Sequence, residues 1–383
     1  MSAFLRPALA TFVSTLFFLV FIDLGFYVVR TVPAIRDTMP TSIVRYLGYG
    51  VSVPGKLERA AKGDRPLPDD GWLGPNAHAA TMAGVTAMPG RYPTRGAQEA
   101  GKPCMTLYGM SFSNRLARLI EAEHPDAFDV RRVSAPAAPP NWTLAAYFAD
   151  RPLSDCRDIV VWTILSTETA ALGSTTMLMH GFDAPQVYSV PAITARDGEI
   201  EVRWPQIETE AALQRALRDP SAMSELVMSL KDEAAFVQAA WGARWADRST
   251  LLGFVRRGLA IGAIADTKAA RIADPEALVR SGTAETLSLM ADRFVAAAQA
   301  DGSRPVILVL QNRGEHARIA GALCAADPTL PIFDSGMIVN PDDTAQFEPD
   351  GHYQTSVDAR LANALIDALR SDISCDVTVA DAS

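Results

Sequence analysis

The chain has 383 residues, 49% of them hydrophobic and 21% charged, enough to bury a full core in one large or two modest domains. A formal charge of −9 argues against a sequence-independent nucleic-acid binder, which needs a dense basic surface to displace phosphate counterions. No basic stripe with interleaved aromatics is present either. Cys104, Cys156, Cys324 and Cys375 are far apart and form no CxxC, which leaves no zinc knuckle or redox pair, only buried thiols or one or two long-range disulfides.

Residues 8–29, ALATFVSTLFFLVFIDLGFYVV, are apolar apart from small hydroxyl residues and Asp23, and lie between Arg6 and Arg30. The run is long enough to cross a hydrocarbon layer of roughly 30 Å. It exceeds the apolar core of a cleaved signal and lacks a small-x-small site after it, so residues 1–30 read as a single-pass membrane anchor contacting the bilayer through 8–29. Asp23 is a cost that headgroups or water can meet near the helix end. Arg6 and the α-amine lie on one side; Arg30, Arg36, Arg45, Lys56 and Arg59 lie on the other, a count that by itself favours a cytoplasmic C-terminal domain.

Residues 31–102 read as a linker or collar, with a short helical piece within 41–62 and turn-rich stretches KGDRPLPDDGWLGPN and AMPGRYPTRG. From 103 to 383 the pattern alternates: strand 104–109, helix 113–124, strand 128–134, helix 141–150, strand 158–165, then helix 283–300, strand 305–310, helix 314–326, strand 331–333 and helix 354–370. DIVVWTIL and RPVILVLQN are continuous apolar runs, as in strands covered on both faces. The expected fold is therefore α/β, a parallel sheet flanked by helices. An insertion at about 170–280 interrupts it as a mixed α+β cap, with a hairpin turning at Asp197-Gly198 and helices at 209–218, 221–239 and 249–262. Arg256-Arg257 break an apolar run there, so it is not read as a second span.

The stretch TLYGMSFSN, residues 106–114, runs from a strand through Gly109 into a helix and presents Ser111 at the first strand-to-helix turn, where parallel sheets hold ligands. A serine hydroxyl needs a base to become a nucleophile. Of five histidines, His352 stands apart in FEPDGHYQTSVDARLANAL, with Asp350 two residues before it and an amphipathic helix after it, so that one tight turn supplies an imidazole and the carboxylate that orients it. The bland alternatives are a helix cap, for which Ser113 is better placed than Ser111, and a turn formed by Asp350. Of the tryptophans, 142, 162, 204, 241 and 245 suit a sugar site, though core packing is the commoner use.

GMSFSN (109–114) and PDGHYQTSVDARLANAL (349–365) resemble the first and last blocks of the SGNH or GDSL hydrolases, with Met110 where the family has Asp. The Asp-x-His spacing is similar to that of membrane-associated members acting on acetylated polysaccharides. The resemblance covers about 103–170 and 283–370 and implies a three-layer flavodoxin-like core, with Ser111 as nucleophile, His352 as general base and Asp350 as its orienter. In the blocks that supply oxyanion donors the chain has SAPAAPPNW and TILSTET, without the family's Gly and Asn. Asn141, Ser166 and Thr167 are the stand-ins. The implied function is a serine-dependent O-acetyl esterase or acyltransferase acting on a surface polysaccharide, without metal or organic cofactor. Its domain would be periplasmic and anchored in the inner membrane, alongside polysaccharide-assembly partners. The alternatives are an inactive tethered component of such an assembly, or a lipid or thioester hydrolase with an apolar tunnel in the insertion. Placement outside the membrane opposes the charge count and makes the cysteines eligible for disulfides.

Overall fold

The computed structural model describes residues 2–40, 50–62, 101–135, 137–152, 154–176, 190–206, 210–233, 235–239 and 244–375. The two turn-rich stretches, His78, His180 and Trp241 lie outside the described residues, apart from Lys62. The described strands are β1 (Cys104–Gly109), β2 (Asp129–Ser134), β3 (Ile159–Leu165), β4 (Ala192–Arg196), β5 (Glu199–Arg203), β6 (Arg304–Leu310) and β7 (Ile332–Asp334). Five form one parallel sheet in the order β2-β1-β3-β6-β7, with Gly109 level with Ser134 and Leu165 level with Leu310. The strand order reverses between β1 and β3, the kind of switch point at which parallel sheets commonly bind ligands.

Every residue of β1 and of β3 is buried, as in a parallel sheet whose connecting helices pack on it. The Ser111–Glu123 and Thr355–Leu369 helices pack against each other, the first also against β1 and β2. The Pro140–Asp150 and Thr283–Ala300 helices cover the opposite face, where Tyr108, Tyr147, Trp162 and Phe294 make an aromatic cluster with ring centroids 4.9–5.7 Å apart. Beneath it Arg131 and the Tyr108 hydroxyl both bond the buried Asp150, at 2.7 and 2.6 Å. Disulfides Cys104–Cys156 and Cys324–Cys375 tie the bottom of β1 to the loop before β3, and the Ile319–Ala326 helix to the C-terminal segment.

Three helices differ from the sequence expectation. The one expected over 314–326 starts only at Ile319, because Gly314 and Arg318 are left-handed (φ 68° and 51°) and the Glu315 carboxylate takes up the Ala317 N–H. The one expected over 221–239 is two segments, Pro220–Glu233 and Ala235–Ala239. The one expected over 249–262 runs from Thr250 to Ile272, since Ile264 and Ile272 continue its buried stripe.

Within the insertion, β4 and β5 form the antiparallel hairpin, with Asp197 and Gly198 both at positive φ as a type I′ turn requires. It docks on the sheet domain through the Ala195 N–H to Thr286 Oγ1, 3.0 Å. The insertion helices bury a second apolar cluster that includes Phe236, Val237, Ala260, Ile264 and Val53. Val53 comes from the Val53–Lys62 helix, so this part of the 31–102 segment is packed structure. Gly50 passes so close to Gly253 that a Cβ on it would lie 2.3 Å from the Gly253 oxygen.

At the N-terminus a helix spans Ser2–Thr31. Its Pro7–Thr31 portion has mean hydropathy 2.2 with none of it buried, long and apolar enough to cross a membrane.

Candidate active site

The strand-to-helix turn after β1 is tight for a steric reason. A Cβ at Gly109 would sit 2.0 Å from Ser113 Oγ, so only glycine fits. Ser113 occupies that space because its hydroxyl caps the helix, accepting the Met110 N–H at 2.8 Å and donating to the Met110 carbonyl at 2.9 Å. Met110 itself is wholly buried in the core. Capping duty thus falls to Ser113. Ser111, the first helical residue, is half-buried and its hydroxyl makes no hydrogen bond among the described residues. The first intrahelical bond is Asn114 N–H to the Met110 carbonyl, which leaves the N–H groups of Ser111 and Phe112 facing out of the helix start.

The other half of the site is the loop before the last helix. Gly351 turns at φ 94°, letting the Glu348 N–H reach the His352 carbonyl (2.6 Å) and the Gly351 N–H reach the Glu348 carbonyl (2.9 Å). Asp350 accepts the backbone N–H of His352 at 3.1 Å, and its other oxygen lies 3.1 Å from His352 Nδ1. That approach is within ion-pair range but off the line of a hydrogen bond, and both ring nitrogens are buried without a hydrogen-bond partner. Burial opposes ionisation of Asp350. The His352 backbone N–H, its imidazole and Arg115 outweigh it and hold the carboxyl below its ordinary value.

The two halves meet. The His352 ring stacks on Phe112, the residue after Ser111, with centroids 4.7 Å apart, and Phe112 also meets Tyr353 edge-on at 4.9 Å. Arg115, one helical turn beyond Ser111, contacts Glu348 (2.8 Å), the Tyr353 carbonyl (3.0 Å) and Asp358 (2.9 Å), clamping the histidine loop and the last helix onto the serine helix. Burial outweighs that guanidinium at Asp358 and pushes its carboxyl up to about 7. The Tyr353 hydroxyl bonds the Gln311 carbonyl just past β6, fixing the loop to the sheet.

The expected oxyanion donors fare differently. Asn141 is buried with its amide donating to the Pro191 carbonyl at 2.6 Å, so that N–H is committed to structure. Thr167 accepts from the Asn312 amide at 3.0 Å and donates to Glu168 at 3.3 Å. Ser166, just past β3, is buried with its hydroxyl unpaired, beside Glu315, whose carboxyl burial pushes up. Among the described residues the donors left beside Ser111 are therefore the backbone N–H groups of its own helix start, while Ser166 opens the turn after β3.

Among the other residues singled out, Trp142 and Trp162 are core, whereas Trp204 and Trp245 are exposed. His124 bonds Asn363, and His316 lies 3.6 Å from Asp342 at the surface. Sequence reasoning missed Arg115, Phe112 and Glu348. Their signals were the spacing of Arg115 four residues after Ser111 and the place of Glu348 two residues before Asp350. No family model matches the chain, and no curated protein or solved structure matches it either.

Proposed function

We propose that this is a membrane-anchored SGNH-type serine O-acyl esterase or acyltransferase, acting on an acetylated surface polysaccharide outside the inner membrane. The observation that carries this reading is the imidazole of His352, paired with Asp350 and stacked on the residue next to Ser111. The sheet order supports it, because Ser111 follows β1, one of the two strands at which the order reverses, and parallel sheets commonly bind ligands at such a point. The two disulfides support an oxidising compartment.

In the proposed reaction Ser111 Oγ bonds to the ester carbonyl carbon while its proton passes to His352 Nε2, and Asp350 stabilises the imidazolium. The Ser111 and Phe112 N–H groups, with Ser166, face the developing oxyanion. The ester C–O bond then breaks and the departing alcohol takes the proton from His352, leaving an acyl-enzyme. Water or a sugar hydroxyl, giving its proton to His352, then bonds to the acyl carbon; the bond from that carbon to Ser111 Oγ breaks and Oγ takes the proton back from His352.

The test is hydrolysis of a chromogenic acetyl ester by the full chain in detergent. Ser111→Ala and His352→Ala should each lower kcat by about a thousandfold or more. Equal activity in all three proteins, or none in any, would favour the rival reading, a tethered component of polysaccharide assembly without turnover. The capture of the Asn141 amide by Pro191 is the observation on that side.

A further inference from the structure

Asp23 is the one charged side chain inside the apolar run, eight residues, or about 12 Å, before the anchor helix ends. Its carboxylate accepts the Leu251 N–H at 2.8 Å, in the first turn of the Thr250–Ile272 helix, while Ser249 caps the next N–H. Phe26 packs edge-on against Phe254 at 5.1 Å. An acid that is costly in lipid is thereby matched to the positive end of a helix. The same contact fixes the depth of that helix. The Pro7–Thr31 span is about 37 Å long against roughly 30 Å of hydrocarbon, so Asp23 lies within about 10 Å of the boundary and Leu251 lies there with it.

The surface that continues from this contact is patterned the wrong way for water. Val255 and Leu259, one turn apart, are 46% and 48% exposed, and Trp245 just before the helix is 69% exposed. Of the two charged residues between them, Arg256 is turned inward and wholly buried, donating to the Gly50 carbonyl at 3.0 Å and pairing with Asp247, and Arg257 is half-buried two positions from each, on the other side of the helix. A helix at an aqueous surface puts its apolar residues inside and its charges outside. An apolar outer face beside a tryptophan, continuous with a membrane span, fits the headgroup–acyl boundary.

We propose that the start of the Thr250–Ile272 helix, with Trp245, is embedded in the bilayer surface, its occupant being lipid. The insertion then works as a membrane foot that holds the sheet domain at a fixed height and tilt. This rests on reading Ser2–Thr31 as a membrane anchor.

The test is photo-crosslinking of the full chain in phosphatidylethanolamine–phosphatidylglycerol liposomes. A benzoylphenylalanine is placed at Val255, Leu259, Phe21 in the anchor, or Arg196 at the hairpin, and lipid adducts are read by mass spectrometry. Adducts at 255 and 259 comparable to those at 21, and at least about tenfold above those at 196, are expected. Adducts at 21 alone would overturn the foot while leaving the anchor intact. None at 21 would overturn the anchor reading itself. Crosslinks from 255 or 259 to a second copy in place of lipid would also overturn the foot.

Discussion

Arg115→Leu removes the clamp between the serine helix and the histidine loop and strands Asp358, whose side chain is 3% exposed. Breaking a buried ion pair costs about 3–5 kcal/mol, and because the Arg115 side chain is itself 30% exposed we expect about 2–3 kcal/mol at pH 8. For a chain of this size that is a Tm loss of roughly 4–8 °C by differential scanning calorimetry in detergent. The loss must depend on pH. Asp358 titrates at about 7 in the folded chain, above the ordinary carboxylate value, so the folded state binds that proton more tightly than the unfolded one. Its contribution to stability is therefore complete below about pH 4 and lost as pH rises through about 7. At pH 5 the carboxyl is already neutral and the variant forfeits mainly the solvent-screened Glu348 pairing and the Tyr353 carbonyl bond, a clearly smaller loss than at pH 8. Adding Asp358→Asn to Arg115→Leu should recover more than half of the loss at pH 8. An equal loss at pH 5 and pH 8, or no recovery in the double variant, would refute the reasoning.

Reducing the two disulfides, whose sequence separations are 52 and 51, should cost about 4 kcal/mol each by loop entropy, read as a drop in Tm under a membrane-permeant thiol. Asp150→Ala strands the buried Arg131 and the Tyr108 hydroxyl together and should cost about 3–5 kcal/mol, measured by urea unfolding. Gly351→Ala has open space for its Cβ, yet it forces an L-residue to φ 94°, at about 1–3 kcal/mol of strain. Relaxing that turn moves His352, so ester hydrolysis measured well below the Tm should fall at least about tenfold, alongside a Tm loss of a few degrees from the strain.

The architecture was legible because β1, β3 and β6 are uninterrupted apolar runs and the intervening helices carry their own periodicity. Asp197-Gly198 announced the hairpin through turn chemistry that operates within four residues. What sequence patterning missed was set by contacts between distant segments. The helix beginning at Ile319 is delayed by a carboxylate that takes up a nearby N–H. Residues 50–62 gave only a short helical signal, yet Val53 and Gly50 are fixed by the insertion helices about 200 residues away. At the site, Ser111 and His352 could be singled out from their local sequences, and Ser113 from its position as a cap. Asn141 could not be judged, since its commitment depends on Pro191 in another loop. Arg115 could not be named either, because its three partners come from residues 348–358.

The central claim is that Ser111 and His352 act as one chemical unit. Labelling with a fluorophosphonate, located by peptide mass spectrometry on the full chain, tests it most directly. The account predicts a covalent adduct on Ser111 that falls at least about tenfold in His352→Ala while Ser113 stays unmodified. An adduct on another serine, or labelling of Ser111 that is indifferent to His352, would contradict it.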